Sequence, residues 1–358
     1  MRCESPDRLS QAGTDAGTKR ASIVIPVRNC ERTLARCLEA VTASEGFADF
    51  EVIVVDDGST DTSAEIASRF PVRLVRCVTG SGPAAARNRG ASEARSPRLV
   101  FVDSDVFVRP DTIDRLLRTL DDAPAAFGSY DPEPLHDNFA TVFYHTLSCR
   151  SIADTSTQTS VFYTYCAAIW RHIFLDLGGF DTRFTLATFE DMELGCRLAE
   201  RGLRCIHRQE ILVTHAVQYR PIGLARAYFR KSRDLAALLL SRRSMSISDQ
   251  GWTHRKNWLV LASAWGTLGF LPLAAWVGPP GDIAWVVSAV TFLTSSFGIA
   301  RSMGRRRLAS GPLAVAGYLA VNVIATAGMV AAVVSCTSRP SLSAEVRRPA
   351  ENVRCSGP

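Results

Sequence analysis

Lysine is nearly missing from this chain: of 41 basic residues only three are lysines, Lys19, Lys231 and Lys256. Positive charge is therefore an arginine property here. A net charge of +6 spread over 358 residues does not by itself mark a polyanion-binding protein. Paired cysteines are missing too. The ten cysteines are scattered with no C-x-x-C spacing, which argues against a zinc site or disulfide framework and for ordinary reduced thiols. No G-x-G-x-x-G follows the first strand pattern, so a dinucleotide oxidoreductase is set aside. Residues 1–20 are polar and lack the apolar core of a signal peptide, and are expected to form a flexible tail.

What is present divides near residue 255. Upstream, short apolar runs alternate with helical patterns: Ser22–Val27, Glu51–Val55, Val72–Val75 and Leu99–Val102 read as strands. Leu34, Leu38 and Val41 mark one helix face. Thr62-Ser63-Ala64-Glu65 reads as a capping box opening another helix. Pro110 suits the first turn of a helix with the stripe Ile113, Leu116, Leu117 and Leu120. Strands alternating with helices predict an α/β fold, a Rossmann-like, mostly parallel sheet with flanking helices, in which ligands bind beyond the carboxyl ends of the strands.

Downstream, Trp258–Val277, Ile283–Ala300 and Pro312–Val334 are long and nearly uncharged. About 20 apolar residues span a bilayer core; the first and third segments reach that length and the second falls slightly short. About three transmembrane helices are expected over 257–335, an all-α membrane region, followed by a tail over 336–358. Arg301, Arg305, Arg306 and Arg307 lie between the second and third segments and favour the cytoplasmic side. Residues 220–256 hold Arg220, Arg226, Arg230, Lys231, Arg233, Arg242 and Arg243 among apolar residues, a pattern suited to an anionic membrane surface. No nucleic-acid-binding module accompanies this charge.

Chemistry concentrates at the predicted strand ends. Asp103 and Asp105 follow Leu99–Val102; two residues apart on an extended segment, they would project to one side. A hard cation such as Mg²⁺ or Mn²⁺ takes carboxylates together with substrate phosphates, and its charge makes such a pair tolerable. A helix-capping aspartate accounts for one acid but not both. Asp56-Asp57-Gly58-Ser59 closes the second strand, where it can bind a ribose or base, or simply turn the chain. Arg87, in Ala86-Arg87-Asn88-Arg89-Gly90, can meet phosphate or base, or lie on the surface. Glu190 and Asp191 sit near a helix N-terminus, where acids are favourable through the dipole; as chemistry, they offer a general base for an acceptor hydroxyl.

Taken in order, these pieces resemble the family 2 inverting glycosyltransferases of the GT-A fold. The matching stretches are Ile23–Asn29, Val54–Asp61, Ala86–Gly90, Asp103-Ser104-Asp105, Gly178-Gly179-Phe180-Asp181 and Glu190-Asp191. The resemblance covers roughly residues 21–215, within a catalytic domain placed at 21–219. It implies a nucleotide-diphosphate sugar donor, with Pro26, Arg28, Asp57, Arg87 and Asp103 around the nucleotide and Asp57 facing the base. It further implies a divalent metal on Asp105 and Asp103, and Asp191 as the base with Glu190 beside it. His215 stands where related enzymes often place a histidine near the diphosphate, which adds it to the metal candidates; a surface or packing histidine is the other reading.

The chain departs from the processive members of that family. Their Gln-x-x-Arg-Trp motif is absent, and Gln218-Tyr219-Arg220-Pro221 does not match it. Single-sugar transfer to a lipid-linked or cell-envelope glycan acceptor is therefore expected, with the catalytic domain on the cytoplasmic side of a multi-pass inner (plasma) membrane protein. Membrane lipids are expected partners and nucleic acid is not. Two other readings stay open: a polyprenyl-phosphate glycosyltransferase, and a nucleotide-binding membrane protein without activity.

Overall fold

The structure is a computed structural model that describes residues 19–77, 80–184, 189–241, 263, 265, 286–294, 296–297, 301 and 311–338. The described residues form two compact units, one within 19–133 and 155–216 and the other within 134–154 and 217–338.

The first unit is built on a nine-stranded sheet. Its strands are β1 (Ala21–Val27), β2 (Phe50–Asp56), β3 (Arg73–Arg76), β4 (Arg98–Val102), β5 (Val106–Phe107), β6 (Ala125–Tyr130), β7 (Gln158–Thr159), β8 (Cys166–Trp170) and β9 (Cys205–His215). The main order is β3-β2-β1-β4-β8-β6-β9-β5, with β7 pairing β9. The half from β3 to β4 is parallel, as the alternating pattern predicts. The other half is mixed, because β8 runs antiparallel to both β4 and β6. The central strands β1, β2 and β4 are buried almost throughout. That explains why they read as continuous apolar runs rather than alternating ones.

Pro26 sits inside β1 without disturbing the sheet. Pairing of β1 with β4 stops at Val24, so the prolyl nitrogen, which cannot donate, lies past the last β4 partner. Beyond that point β1 is held only by β2, and the sheet opens at the carboxyl ends of β1 and β4.

Helices α1 (Leu34–Thr42), α2 (Ser63–Ala67), α3 (Pro83–Glu93), α4 (Thr112–Leu120), α6 (Arg171–Asp176) and α7 (Glu190–Glu200) belong to this unit. On α4 the predicted stripe Ile113, Leu116, Leu117 and Leu120 is fully buried. The start of α2 differs from the expected capping box. Thr62 makes no cap bond to its own helix; its hydroxyl donates to Glu31 Oε2 at 3.0 Å, and Asp61 Oδ1 accepts from Ser63 N–H at 3.0 Å. A cross-chain acceptor thus outcompetes the local one. At Gly90 on α3, a Cβ would lie 2.3 Å from Val24 Cγ1, so only glycine permits this helix–sheet approach.

The second unit contains α5 (Phe139–Ala153), α8 (Pro221–Ser241) and α9 (Gly311–Ser338). Asn138 caps α5, its side chain accepting from Thr141 N–H at 3.1 Å. Phe143 and Tyr144 of α5 cluster with Leu224 and Tyr228 of α8 and with Ala314 and Val321 of α9. A Cβ at Gly328 on α9 would lie 2.4 Å from the Phe229 carbonyl, so these helices cross at backbone contact. Within α9, Ala314–Ala332 is long and apolar enough to cross a membrane. Of the other two expected spans, Trp258–Val277 lies outside the described residues apart from 263 and 265; 286–294 and 296–297 of Ile283–Ala300 are helical. The arginines 305–307 also lie outside them.

Candidate active site

Asp57 and Asp103 follow the carboxyl ends of β2 and β4; the structure joins Asp103 to Arg87 and Glu190, and Asp105 to His215. Asp56 and Asp57 leave β2 buried. Asp56 Oδ1 accepts from Ser59 N–H at 2.9 Å, closing a turn in which Gly58 takes φ +73°. Asp57 is a tether: Oδ1 accepts from Ser81 N–H and Oδ2 from Gly82 N–H, each at 2.8 Å. Its carboxylate therefore fixes the loop that enters α3. The exposed Arg28 guanidinium lies against the same loop, so close that a Cβ on Gly80 would fall 2.3 Å from Arg28 Cζ.

Arg87 projects from α3 into the middle of the site and is only 3% exposed. Its Nη2 donates to Asp103 Oδ1 at 2.6 Å and its Nη1 to Glu190 Oε1 at 2.8 Å. Burial weakens its hold on a proton, but the two acids more than offset this and raise its pKa. A surface role, one of the two readings open from sequence, does not fit this placement. Glu190 begins α7 and is as buried as Arg87.

Asp103 and Asp105 do not lie on an extended segment. β4 ends at Val102, and Val106 N–H donates back to Asp103 O at 3.0 Å, making residues 103–106 a turn. The two carboxylates consequently have different partners. Asp103 faces Arg87, whereas Asp105 Oδ2 lies 3.3 Å from His215 Nε2 at the end of β9. Ala216 N–H donates to Asp105 O at 2.8 Å, so backbone and side chain both join this turn to β9. Burial opposes ionisation of Asp105, yet His215 and the Arg87 charge hold its carboxyl below the usual range. The His215 ring stacks on Tyr130 at 4.7 Å and 9°, and Tyr130 packs against Tyr165 at 4.1 Å. Between them, Tyr130 and Asp105 fix the imidazole.

Asp191 is half-buried and adjoins Glu190 at the first turn of α7. Burial, reinforced by the Glu190 carboxylate, pushes its carboxyl up to about 7. A carboxylate with that pKa is matched to proton abstraction near neutrality.

Several contributing residues escape sequence reasoning. Asn88 links α3 to the Gly178–Asp181 turn through two bonds to Phe180, each 2.8 Å. Arg197 on α7 donates to Gly179 O at 2.6 Å and to Glu193 Oε2 at 2.6 Å, supporting the same turn. Ser104 donates to Cys30 Sγ at 3.0 Å between the two aspartates. Asn88 and Ser104 lie inside the quoted motifs and Arg197 outside them, and none of the three names its partner in the sequence. Among the described residues no cysteine is in a disulfide, and burial pushes the Cys37 and Cys205 thiols up, keeping them protonated.

A divalent cation fits this chemistry. Asp105 and His215 offer a carboxylate and an imidazole face to face, and Asp103 stands at the other end of the same turn. No group of three or more such side chains is clustered among the described residues. A cation held by so few side chains would leave positions for substrate phosphates.

A sheet opening at its switch point, with acids at the strand ends, is where an α/β fold of this kind places its ligand. Residues 22–178 match the family described as Glycosyl transferase family 2. Validoxylamine A glucosyltransferase of Streptomyces hygroscopicus subsp. limoneus is 32% identical over 222 residues, covering 51% of this chain and 48% of the relative. Poly(ribitol-phosphate) beta-glucosyltransferase of Bacillus spizizenii is 38% identical over 96 residues, 25% of this chain and 15% of that one. The chain spans about half or less of the length of the curated relatives it matches. The fold is shared with mannosyltransferase PcManGT from Pyrobaculum calidifontis, solved with GDP-Man and Mn²⁺. The TM-score is 0.62 at 20% identity, over 91% of this chain and 92% of the other.

Proposed function

We propose that this protein is a membrane-anchored inverting glycosyltransferase moving one sugar from a nucleotide-diphosphate sugar to a lipid-linked or cell-envelope glycan acceptor. The observation that carries the reading is the junction of two acidic motifs on one buried arginine: Asp103 at the end of β4 and Glu190 at the start of α7. On this reading the junction would tie a donor-side turn to the helix start that carries Asp191 as the base. Relatives that include a poly(ribitol-phosphate) beta-glucosyltransferase support a glycan acceptor.

Pro26, Arg28 and Asp57 would shape the nucleotide side, with Asp57 acting through the loop it tethers. Asp105 and His215, with Asp103, would hold Mg²⁺ or Mn²⁺, as the Mn²⁺ in the mannosyltransferase relative supports. A bound divalent cation offsets the negative charge that develops on a leaving diphosphate. Asp191 would take the proton from the acceptor hydroxyl, whose oxygen then attacks the anomeric carbon from the face opposite the diphosphate and inverts it.

Membrane attachment rests on the apolar segment of α9, the other apolar segments of the sequence and the basic residues of α8. The catalytic unit is assigned to the cytoplasmic side from the arginines at 301 and 305–307. Membranes containing the protein, screened against a panel of nucleotide sugars, should transfer one sugar to extracted lipid or glycan with metal dependence. A polyprenyl-phosphate acceptor is already anionic and has little need of a base. Full activity of Asp191→Asn on such an acceptor would therefore favour the alternative reading. Loss of all transfer and donor hydrolysis in the wild type would leave only nucleotide binding.

A further inference from the structure

We infer that Arg87 is a positioning residue that locks the turn after β4 to the first turn of α7 and withholds Asp103 from full service as a metal ligand. The inference rests on the proposed reading of this site and assigns Arg87 a place away from the nucleotide. The guanidinium is 3% exposed and lies 5.7 Å from the Phe180 ring. Nη1 and Nη2 are spent on Glu190 and Asp103, and Nε is buried without a hydrogen-bond partner in the structure.

The helix that carries Arg87 is itself held in place. One residue on, Asn88 is bonded twice to Phe180, and Gly90 packs α3 against Val24 at a distance no side chain permits. Arg87 therefore stays beneath the acids and is not free to swing toward a donor. From the sequence, a cation is what makes the Asp103 and Asp105 pair tolerable. The structure provides another answer for Asp103: a permanently charged arginine, whose planar fork reaches two acids at once. A metal at Asp105 and His215 then competes with Arg87 for the Asp103 carboxylate.

Removing Arg87 alone takes the shared cation from both Asp103 and Glu190, so Arg87→Met is combined with Glu190→Gln, which keeps the local net charge unchanged. Binding of Mn²⁺ alone to the purified full chain is followed by electron paramagnetic resonance in wild type, Asp105→Ala, Arg87→Lys and Arg87→Met/Glu190→Gln. The double variant is expected to melt cooperatively and to bind Mn²⁺ about threefold to tenfold more tightly than wild type, because Asp103 loses its nearest positive charge. Lysine reaches only one acid and should fall between the two. In transfer assays the double variant should lose kcat with donor KM nearly unchanged. Unchanged or weaker Mn²⁺ binding in a folded double variant overturns the inference. So does an Arg87→Lys enzyme that changes donor KM alone, the mark of a nucleotide contact. If wild type and Asp105→Ala bind Mn²⁺ alike, the underlying metal assignment falls, which is a separate result.

Discussion

The side chain of Asn88 clasps the backbone of Phe180 in both directions. Its Nδ2 donates to Phe180 O at 2.8 Å, and Phe180 N–H donates to Asn88 Oδ1 at 2.8 Å. This clasp carries the Gly178-Gly179 turn, where both glycines have positive φ and a Cβ on Gly179 would lie 2.5 Å from Asn88 Oδ1. Asn88→Ala orphans two buried backbone groups and should cost about 1–3 kcal/mol in denaturant unfolding. Gly179→Ala should add left-handed strain of about 1–2 kcal/mol to its clash. Wild-type stability in either variant would show that the clasp is not needed.

Gly90 offers a test of sign. An alanine in an unobstructed helix interior stabilises by about 1 kcal/mol over glycine. Here the added methyl meets Val24 and Val55 from the sheet. Gly90→Ala should therefore destabilise, by about 1–3 kcal/mol, in the same unfolding measurement.

Asp57 acts through the loop before α3. Asparagine keeps one acceptor oxygen, so Asp57→Asn loses one of the two bonds to Ser81 and Gly82. Donor KM should rise by about fivefold, the worth of one hydrogen bond of about 1 kcal/mol, with kcat nearly preserved. A fall in kcat at constant KM would place Asp57 elsewhere in the reaction.

The raised Asp191 carboxyl gives the enzyme and its stability opposite responses to pH. The folded protein holds this proton up to about 7, whereas an unfolded aspartate releases it near 4. Between those values the native state binds the extra proton, so this group's stabilising contribution, full below about 4, falls as pH rises toward 7. The base must be ionised to act, so kcat/KM for the free enzyme should climb through the same region. Asp191→Asn should flatten the stability contribution. An activity limb that levels off near pH 4 would contradict the assignment.

Much of this site was legible because its parts are local patterns. Apolar runs ending in acids marked β2 and β4, and the buried stripe of α4 follows from spacing alone. What the sequence hid depends on partners far along the chain. Arg87 and Glu190 are 103 residues apart, and nothing local distinguishes a buried bridging arginine from an exposed one. The turn at 103–106 was hidden for the converse reason: its backbone bond from Val106 to Asp103 overrides a strand propensity that runs on through Val106 and Phe107. Antiparallel β8 could not be read either, since a buried strand looks the same in both directions.

The central claim is that Asp191 takes the acceptor proton in a site whose donor side is intact without it. The most direct measurement compares wild type with Asp191→Asn for sugar transfer and for equilibrium binding of the nucleotide-sugar donor. Transfer should fall by about 10²–10⁴-fold while donor affinity stays within a factor of about two. Wild-type turnover in Asp191→Asn, with the fold intact, would remove Asp191 from the chemistry and contradict the account.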